Sequence, residues 1–287
     1  MLIIRKISIA SQTMRKQGIA GVLKVLARKL DTYSRRKLPV SSLWEIAPLF
    51  RYATCDDLIQ LKARYPIYCY PDRESKEEWG LKTVGRLYCV DKIIKLKPNT
   101  MIEVGAGWSP YFDQHFGEQN EYWMLDDGCY DPFDKFDLAL KNRQNTHFVQ
   151  GMLGDFNPKL PAEYFDLVFS VSVLEHVPSA LKNEVYNDMY RILKPGGWIV
   201  HSIDLLDFAG LSEFDYISQA GFVLPSKADL HFSIRPSDGP ATLFEPLEHV
   251  FNYQLGIGND QKWHNPPSVY RHLPTILVMG YKPDGEN

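Results

Sequence analysis

The stretch Thr100-Met-Ile-Glu-Val-Gly-Ala-Gly-Trp-Ser109 indicates the fold of this chain. A short apolar run is followed at once by Gly105-x-Gly107, the order expected for a buried strand, a tight turn and the start of a helix. Glycine is needed because such a turn uses φ angles that a side chain disfavours, and because a ligand must approach the backbone. Glu103 is unusual in an apolar strand unless something pairs with it. The stretch therefore predicts a nucleotide-like ligand site.

Apolar stretches and turns keep alternating after this point. The second stretch ends in Asp126, about 20 residues past the glycine turn, where an acid is placed to accept hydrogen bonds from ribose hydroxyls. An Asx turn of Asp126 and Asp127 with Gly128 is the structural alternative. The later stretches are residues 147–150, 165–172, 198–203 and 274–280. Strands alternating with helices predict a doubly wound α/β fold, with a mostly parallel sheet covered on both faces.

This run closely resembles the class I S-adenosylmethionine (SAM) dependent methyltransferases. Within them it is similar to the broad type 11-like group, which has a Leu-Glu-His-Val segment after the fourth strand. The matching residues are Glu103-x-Gly105-x-Gly107, Asp126, Phe165-Asp166 through Val177, and Arg191-Ile-Leu-Lys-Pro-Gly-Gly197. The resemblance covers about residues 80–225. It implies a seven-stranded Rossmann-like sheet whose last strand is antiparallel, and SAM as the cofactor.

The resemblance also implies which residues contact the cofactor. Glu103 would join the hydrogen-bond network around the methionine end of SAM, and Asp126 would bind the ribose. The family's acid after the third strand has no clean match, because Met152 stands at its place and Asp155 lies three residues later. Asp155 is either the adenine contact or a loop acid. The expected cofactor-binding residues are Glu103, Gly105, Gly107, Asp126, Asp155 and Ser170.

Three residues are candidates for a general base, because they lie at or near the expected carboxyl ends of strands, where ligands of such sheets bind. They are His176, His201 and Asp204. A histidine suits this role because its pKa lies near neutrality. His176 could instead be a structural residue at a helix start, and His201 could be a buried, hydrogen-bonded residue within its strand.

Two shorter resemblances concern the acceptor and a metal. The segment Ser172–Val177 looks like that of ubiquinone-pathway O-methyltransferases, whose acids and histidine hold a divalent metal. Ser172 replaces the first carboxylate, so we expect no metal. Residues 201–207 look like methyltransferases of bacterial surface-polysaccharide pathways. The expected reaction is therefore O-methylation of a small-molecule or lipid-linked saccharide (glycan) acceptor.

Composition limits the partners and the compartment. The chain has 287 residues, of which 45% are hydrophobic, and carries a formal net charge of −3. Residues 1–37 contain ten Lys/Arg and one acid, so the remainder is acidic, which argues against a nucleic-acid partner. The four cysteines form no Cys-x-x-Cys pair, which favours a reducing, cytoplasmic compartment. No apolar run approaches the ~18 residues of a membrane span.

The basic arm, residues 1–37, admits three interpretations. Its apolar residues recur at helical spacing among Lys24, Arg28 and Lys29. Such a helix can lie on an anionic membrane, giving peripheral membrane association. It can equally pack on the domain, or belong to a transit peptide, since the first 30 residues contain no acid. The sequence of the arm does not distinguish between these three interpretations.

Beyond the arm we expect a helical N-terminal cap region, residues 38–99, and a SAM-binding core, residues 100–287. Residues 211–220 are predicted as a helix and 221–224 as the strand that follows. Residues 225–273 form an insertion too long for an idle loop, and we expect it to cover the acceptor site.

Two rival functions remain. A nicotinamide-dependent oxidoreductase is disfavoured because Pro110 stands at the place of the third fingerprint glycine. A non-catalytic binding module with this fold is disfavoured by the intact Glu103, Gly105, Gly107 and Asp126.

Overall fold

The computed structural model describes residues 44–69, 80–107, 111–128, 145–204, 210–230 and 275–285. The chain divides into two units, Met1–Trp44 and Glu45–Asn287, and everything below concerns the second. The predicted arm and most of the predicted insertion, from residue 231 onward, lie outside the described residues. No helix within the described ranges is long and apolar enough to cross a membrane.

Seven strands form one sheet in the order β1-β7-β6-β5-β2-β3-β4. Strands β2 to β6 pair in parallel, whereas β7 runs antiparallel to both of its neighbours, β6 and β1. This confirms the predicted Rossmann-like sheet with an antiparallel last strand. The strands are β1 (Leu49–Tyr52), β2 (Thr100–Val104), β3 (Glu121–Asp126), β4 (Thr146–Gln150), β5 (Phe165–Val171), β6 (Leu193–Asp204) and β7 (Thr275–Tyr281).

Five described helices accompany the sheet. They are α1 (Cys55–Arg64), α2 (Gly80–Leu96), α3 (Tyr111–Phe116), α4 (Lys182–Ile192) and α5 (Gly210–Gln219). Helix α1 begins at a capping box, in which the Thr54 hydroxyl accepts from the Asp57 N–H at 3.1 Å and the Asp57 carboxylate accepts from the Thr54 N–H at 2.8 Å. Single turns of 3₁₀ helix occupy Pro66–Tyr68, Leu174–His176 and Ser179–Leu181.

The two faces of the sheet are covered by different helices. On one face Ile199 and Ile203 of β6 belong to a buried apolar cluster with Tyr186 of α4 and Ile217 of α5. Helix α2 lies close against β5 and β6, because a Cβ atom on Gly85 would collide with the side chains of Val171 and Ser202. Successive strand residues point to opposite faces, which explains why every residue of β2 is buried.

The outer strand beside β7 comes from the N-terminal region, and not from residues 221–224 as predicted. Phe50 of β1 pairs with Val278, is 1% exposed, and packs edge-on against Phe214 with ring centroids 5.1 Å apart. The predicted strand makes only a single bridge, from Val223 to Tyr281. Gly221 has a φ of +95°, which interrupts extended backbone at its start. The N-terminal region therefore supplies a strand as well as helices.

Candidate active site

The candidate site lies where the parallel strands end. The carboxyl ends of β2, β3, β5 and β6 meet at one edge of the sheet, because these strands run in the same direction. Gly105, Asp126, Ser172 and Asp204 stand at or directly after these four ends. The fold thus brings together segments that are far apart in the sequence.

The glycine turn after β2 has the geometry that the sequence indicated. Gly105 and Gly107 have φ angles of +65° and +56°. The Gly105 N–H donates to the Leu125 carbonyl at 2.8 Å, which ties the turn to β3. A Cβ atom on Gly105 would come within 2.5 Å of the Val173 side chain. At Gly107 no described heavy atom lies within 4 Å of a Cβ position, so this face of the backbone is open to a ligand.

Asp126 holds the turn in place. One carboxylate oxygen accepts from the Gly107 N–H at 2.8 Å and the other from the Gly128 N–H at 2.8 Å. The second bond is the Asx turn considered above as an alternative. The two roles are compatible, because each carboxylate oxygen can accept a second hydrogen bond. Asp126 can therefore order the turn and still accept bonds from two hydroxyls.

Glu103 is a buried acid beneath the glycine turn. Its side chain accepts a hydrogen bond from the Tyr122 hydroxyl, and the residue is 7% exposed. Burial raises the pKa of the Glu103 carboxyl to about 8, and the charges of Asp113 and Asp126 also raise it. The hydrogen bond from Tyr122 acts in the opposite direction and lowers this pKa. A cation brought to this edge would favour the ionised carboxylate.

The loop after β4 carries Asp155. It starts next to Asp126, because the Gly151 N–H donates to the Asp126 carbonyl at 3.0 Å. Asp188, which is fully buried, accepts from the Phe156 N–H at 3.2 Å and holds this residue at a φ of +49°. Asp155 itself is exposed, beside the largely exposed Phe156. The loop is thus held in a defined shape by a residue of α4.

Ser170 and His201 lie inside the sheet. The two residues face each other across β5 and β6, and the Ser170 hydroxyl lies 2.9 Å from His201 Nδ1. Neither residue has exposed surface, and burial lowers the pKa of His201 to about 3. This geometry is the buried, hydrogen-bonded alternative for His201. It argues against His201 as a base and against direct ligand contact by Ser170, because neither side chain reaches the open edge.

Asp204 ties three strand ends together. Its carboxylate accepts from the Ser172 hydroxyl at 2.7 Å and from the Thr275 hydroxyl at 2.6 Å. Ser172 has a φ of +55°, a conformation that costs energy for a residue other than glycine. Each Asp204 oxygen accepts a hydrogen bond from a residue of a neighbouring strand end, which gives Asp204 an anchoring role.

His176 stands out among the three candidate bases because its side chain is 50% exposed. It lies on the turn that follows β5, with Nε2 3.9 Å from Glu175 Oε1. Partial burial and the nearby Lys82 lower the pKa of His176, so the ring is neutral at neutral pH. Burial and the charge of Asp204 raise the pKa of Glu175 well above its usual range. The turn therefore presents an unprotonated imidazole beside a buried carboxyl group.

A comparison with models of protein families matches residues that include this edge of the sheet. Residues 125–201 match a family model described as a methyltransferase domain. Residues 125–201 are therefore similar to a methyltransferase domain. This match confirms the resemblance carried by the motifs. It contains Asp126, the Leu-Glu-His segment and strand β5. A search of curated proteins finds no match.

Several solved structures are similar to this chain at low sequence identity. The [4+2]-cyclase SpnF is 14% identical over 80% of this chain and 94% of that one, with a TM-score of 0.49. The Burkholderia thailandensis 1,6-didemethyltoxoflavin-N1-methyltransferase, solved with S-adenosylhomocysteine, is 13% identical over 83% and 93%, with a TM-score of 0.45. The Haemonchus contortus phosphoethanolamine N-methyltransferase 2, solved with SAM, is 13% identical over 65% and 49%, with a TM-score of 0.43. These likenesses do not determine the acceptor.

Several residues that shape the candidate site are not part of any sequence motif. Lys182 is buried and donates to the Leu174 carbonyl at 2.6 Å, and it pairs with Glu213 of α5. Thr275 bonds Asp204 from 71 positions away in the sequence. No motif links such residues, because their contacts arise from tertiary packing. Within the described ranges, no three His, Cys, Asp or Glu side chains are grouped so that they could hold a metal ion.

Proposed function

We propose that this methyltransferase transfers the methyl group of SAM to a hydroxyl of a small-molecule acceptor. The observation that carries the proposal is the half-exposed His176 at the carboxyl end of β5, whose lowered pKa leaves it able to take a proton. A hydroxyl nucleophile must lose its proton during methylation, and a neutral histidine within reach is suited to accept it. His176 is therefore the preferred base among the three candidates.

The residues of the sheet edge fit SAM. The open backbone at Gly107 can meet the ligand, and Asp126 retains acceptor sites for the two ribose hydroxyls. Asp155, on the loop that begins beside Asp126, is the proposed adenine contact. Glu103 would interact with the methionine end, where ligand cations favour its ionised form.

The chemistry divides between cofactor and chain. SAM, when bound, supplies a methyl group on a sulfonium cation. His176 Nε2 would accept the acceptor's proton as the hydroxyl oxygen bonds to the methyl carbon, while the bond from that carbon to the sulfonium sulfur breaks and its electron pair stays on the sulfur of the departing S-adenosylhomocysteine. Asp204 would fix the ends of β5 and β6, through Ser172 and Thr275, so that His176 keeps its position. Ser170 and His201 would support the same edge from inside the sheet.

The proposed acceptor is limited to a small molecule. The expectation of a lipid-linked saccharide depends on the basic arm and on the insertion at 225–273, most of which lies outside the described residues. The preference for oxygen over nitrogen depends on the need for a base. An amine that reacts in its neutral form would need His176 less.

Calorimetric titration with SAM and with NAD tests the cofactor. We expect binding of SAM and none of NAD. Gly107→Val should abolish SAM binding, because the side chain would occupy the open face of a backbone that has a positive φ. Gly285→Val is the matched control, since its Cβ position is equally open and no positive φ is found there. Binding of NAD without SAM would instead support an oxidoreductase.

The role of His176 as the base can be tested by incubating the protein with labelled SAM and a small-molecule extract of the source organism. His176→Ala should lower turnover by roughly 10²–10⁴ while SAM affinity stays unchanged. His147→Ala serves as the control, because this histidine is 41% exposed and lies near the opposite end of a strand. Unchanged turnover in His176→Ala would remove the histidine from the reaction.

A further inference from the structure

Glu175 has a buried carboxyl oxygen that no group of the described residues satisfies. Its side chain is 4% exposed, and Oε2 has no hydrogen-bond partner in this part of the chain. Leaving a buried polar atom unpaired costs about 1–3 kcal/mol, so such atoms are rare and call for an explanation. Glu175 directly follows β5 at the edge where ligands of these sheets bind. A ligand group is the partner that this position favours.

Two neighbouring polar groups already have partners within the described residues. Asp204 accepts from the hydroxyls of Ser172 and Thr275. Lys182 donates to the Leu174 carbonyl and pairs with Glu213. Glu175 Oε2 differs from them because it is buried and has no partner among the described residues.

Lys82 brings a positive charge to the same place. Helix α2 runs from the carboxyl edge of the sheet to the amino edge, since its last residue is followed after a short turn by the start of β2. Gly85 lies against Val171 and Ser202, near the ends of β5 and β6. Lys82 is one turn earlier and is exposed, and side chains of a helix point toward its N-terminus. Lys82 therefore reaches above the strand ends.

The electrostatics agree with this placement. Burial raises the pKa of Glu175 and lowers the pKa of His176, and the charge of Lys82 opposes the first shift and adds to the second. No carboxylate of the described residues forms an ion pair with Lys82. Lys182, the other cation near Glu175, is buried and paired. Lys82 is thus an exposed cation at this edge of the sheet, where Asp204 contributes a partly buried carboxylate.

We propose that Glu175 and Lys82 form the acceptor subsite and select a small molecule that carries an anionic group, a carboxylate or a phosphate, near its reacting hydroxyl. The Glu175 carboxyl group hydrogen-bonds a polar group of the acceptor next to its reacting hydroxyl, whose proton goes to His176, and the Lys82 ammonium binds the anion. This inference rests on the proposed function and adds the chemical class of the acceptor.

To test this inference, a small-molecule extract of the source organism is separated on an anion-exchange resin. Each fraction is then assayed for methyl acceptance with labelled SAM and the full chain. We expect methyl-accepting activity in the retained fraction. Lys82→Gln should lower kcat/KM for that fraction about tenfold or more, mainly through KM, because a charge-assisted bond is lost. Lys82→Arg should retain activity. Lys97→Gln, an exposed lysine just beyond the other end of α2, is the matched control.

Glu175→Met tests the buried oxygen with a side chain of similar length. We expect kcat/KM for the retained fraction to fall about tenfold or more, with the SAM dissociation constant and the thermal midpoint close to those of the parent. Glu175→Gln should recover most of the activity, because an amide preserves a hydrogen bond to the acceptor. A thermal melt of each variant shows that it is folded.

Several results would overturn the inference. One is activity confined to the unretained fraction, and another is unchanged kinetics in Lys82→Gln. If Lys82→Gln weakens SAM itself without acceptor, the bound anion is the methionine carboxylate of the cofactor. Activity lost with EDTA and restored by Mg²⁺ would assign Glu175 to a metal instead. A parent chain that binds no SAM, or binds it and labels no fraction, contradicts the proposed function itself.

Discussion

Asp126 is the residue on which the proposed cofactor site most depends, because it bonds two backbone N–H groups of the edge and is the proposed partner of the ribose hydroxyls. Asp126→Ala should weaken SAM binding by about 1–3 kcal/mol, the usual effect of removing a partner of hydrogen-bonded groups. Isothermal titration calorimetry measures the change. Asp215→Ala, which alters an exposed acid on α5, should leave the affinity as it is. Equal affinities in both variants would show that the ribose binds elsewhere.

Glu103 is expected to make SAM binding depend on pH. Its pKa is raised to about 8 in the free protein, so the carboxyl is protonated at neutral pH. A bound cation favours the carboxylate, and binding must then release a proton. SAM affinity should therefore rise with pH by up to about tenfold per unit below that pKa, and level off above it. Calorimetry in buffers of different ionisation enthalpy counts the released proton.

The same residue affects the stability of the free protein in the opposite direction. The pKa of the Glu103 carboxyl is higher in the folded protein than in the unfolded chain. Its contribution to folding stability is therefore fully present below the unfolded pKa and is lost as the pH rises through about 8. In Glu103→Gln both pH dependences should disappear. A variant whose SAM affinity follows pH as the parent does would assign the proton to another group.

At the scale of elements, strand β1 joins the N-terminal region to the sheet. Phe50→Ala should lower the free energy of unfolding by about 3–5 kcal/mol, because the ring is buried against Phe214 and its removal leaves a cavity. Urea denaturation measures the loss. Ile59→Ala on α1, where the side chain is 65% exposed, is the control and should change little. Similar midpoints for both variants would mean that β1 adds little to the fold.

At the scale of the whole molecule, the basic arm can be separated from the catalytic core. Every proposed cofactor residue lies beyond position 100, and the sheet begins at Leu49. If the arm binds membranes, removing residues 1–37 should abolish sedimentation with anionic vesicles and preserve SAM binding. Each basic residue near the surface would contribute about 1 kcal/mol at low salt.

The packing interpretation of the arm gives the reverse result. The intact protein would then ignore anionic vesicles at low salt, and the truncated protein would melt at a lower temperature. Vesicle sedimentation and thermal melts of both proteins distinguish these outcomes. A transit peptide would make neither contribution, so truncation would leave both measurements unchanged.

The sequence by itself determined the architecture and the glycine turn. The turn with two glycines and the acid after the next apolar stretch are local patterns, and local patterns follow from backbone conformation and hydrophobic periodicity. Gly105, Gly107 and Asp126 therefore appear where the motifs placed them, on the parallel sheet that the alternating elements predicted.

Only the tertiary structure decided which candidate side chains reach the open edge. His176 and His201 were alike as candidates, yet one is half-exposed and the other is enclosed between strands. Residues 49–52 form the outer strand β1, because pairing with β7, which lies far along the chain, buries Phe50. Burial and pairing across such distances depend on how elements pack, and the order of residues along one segment does not encode them.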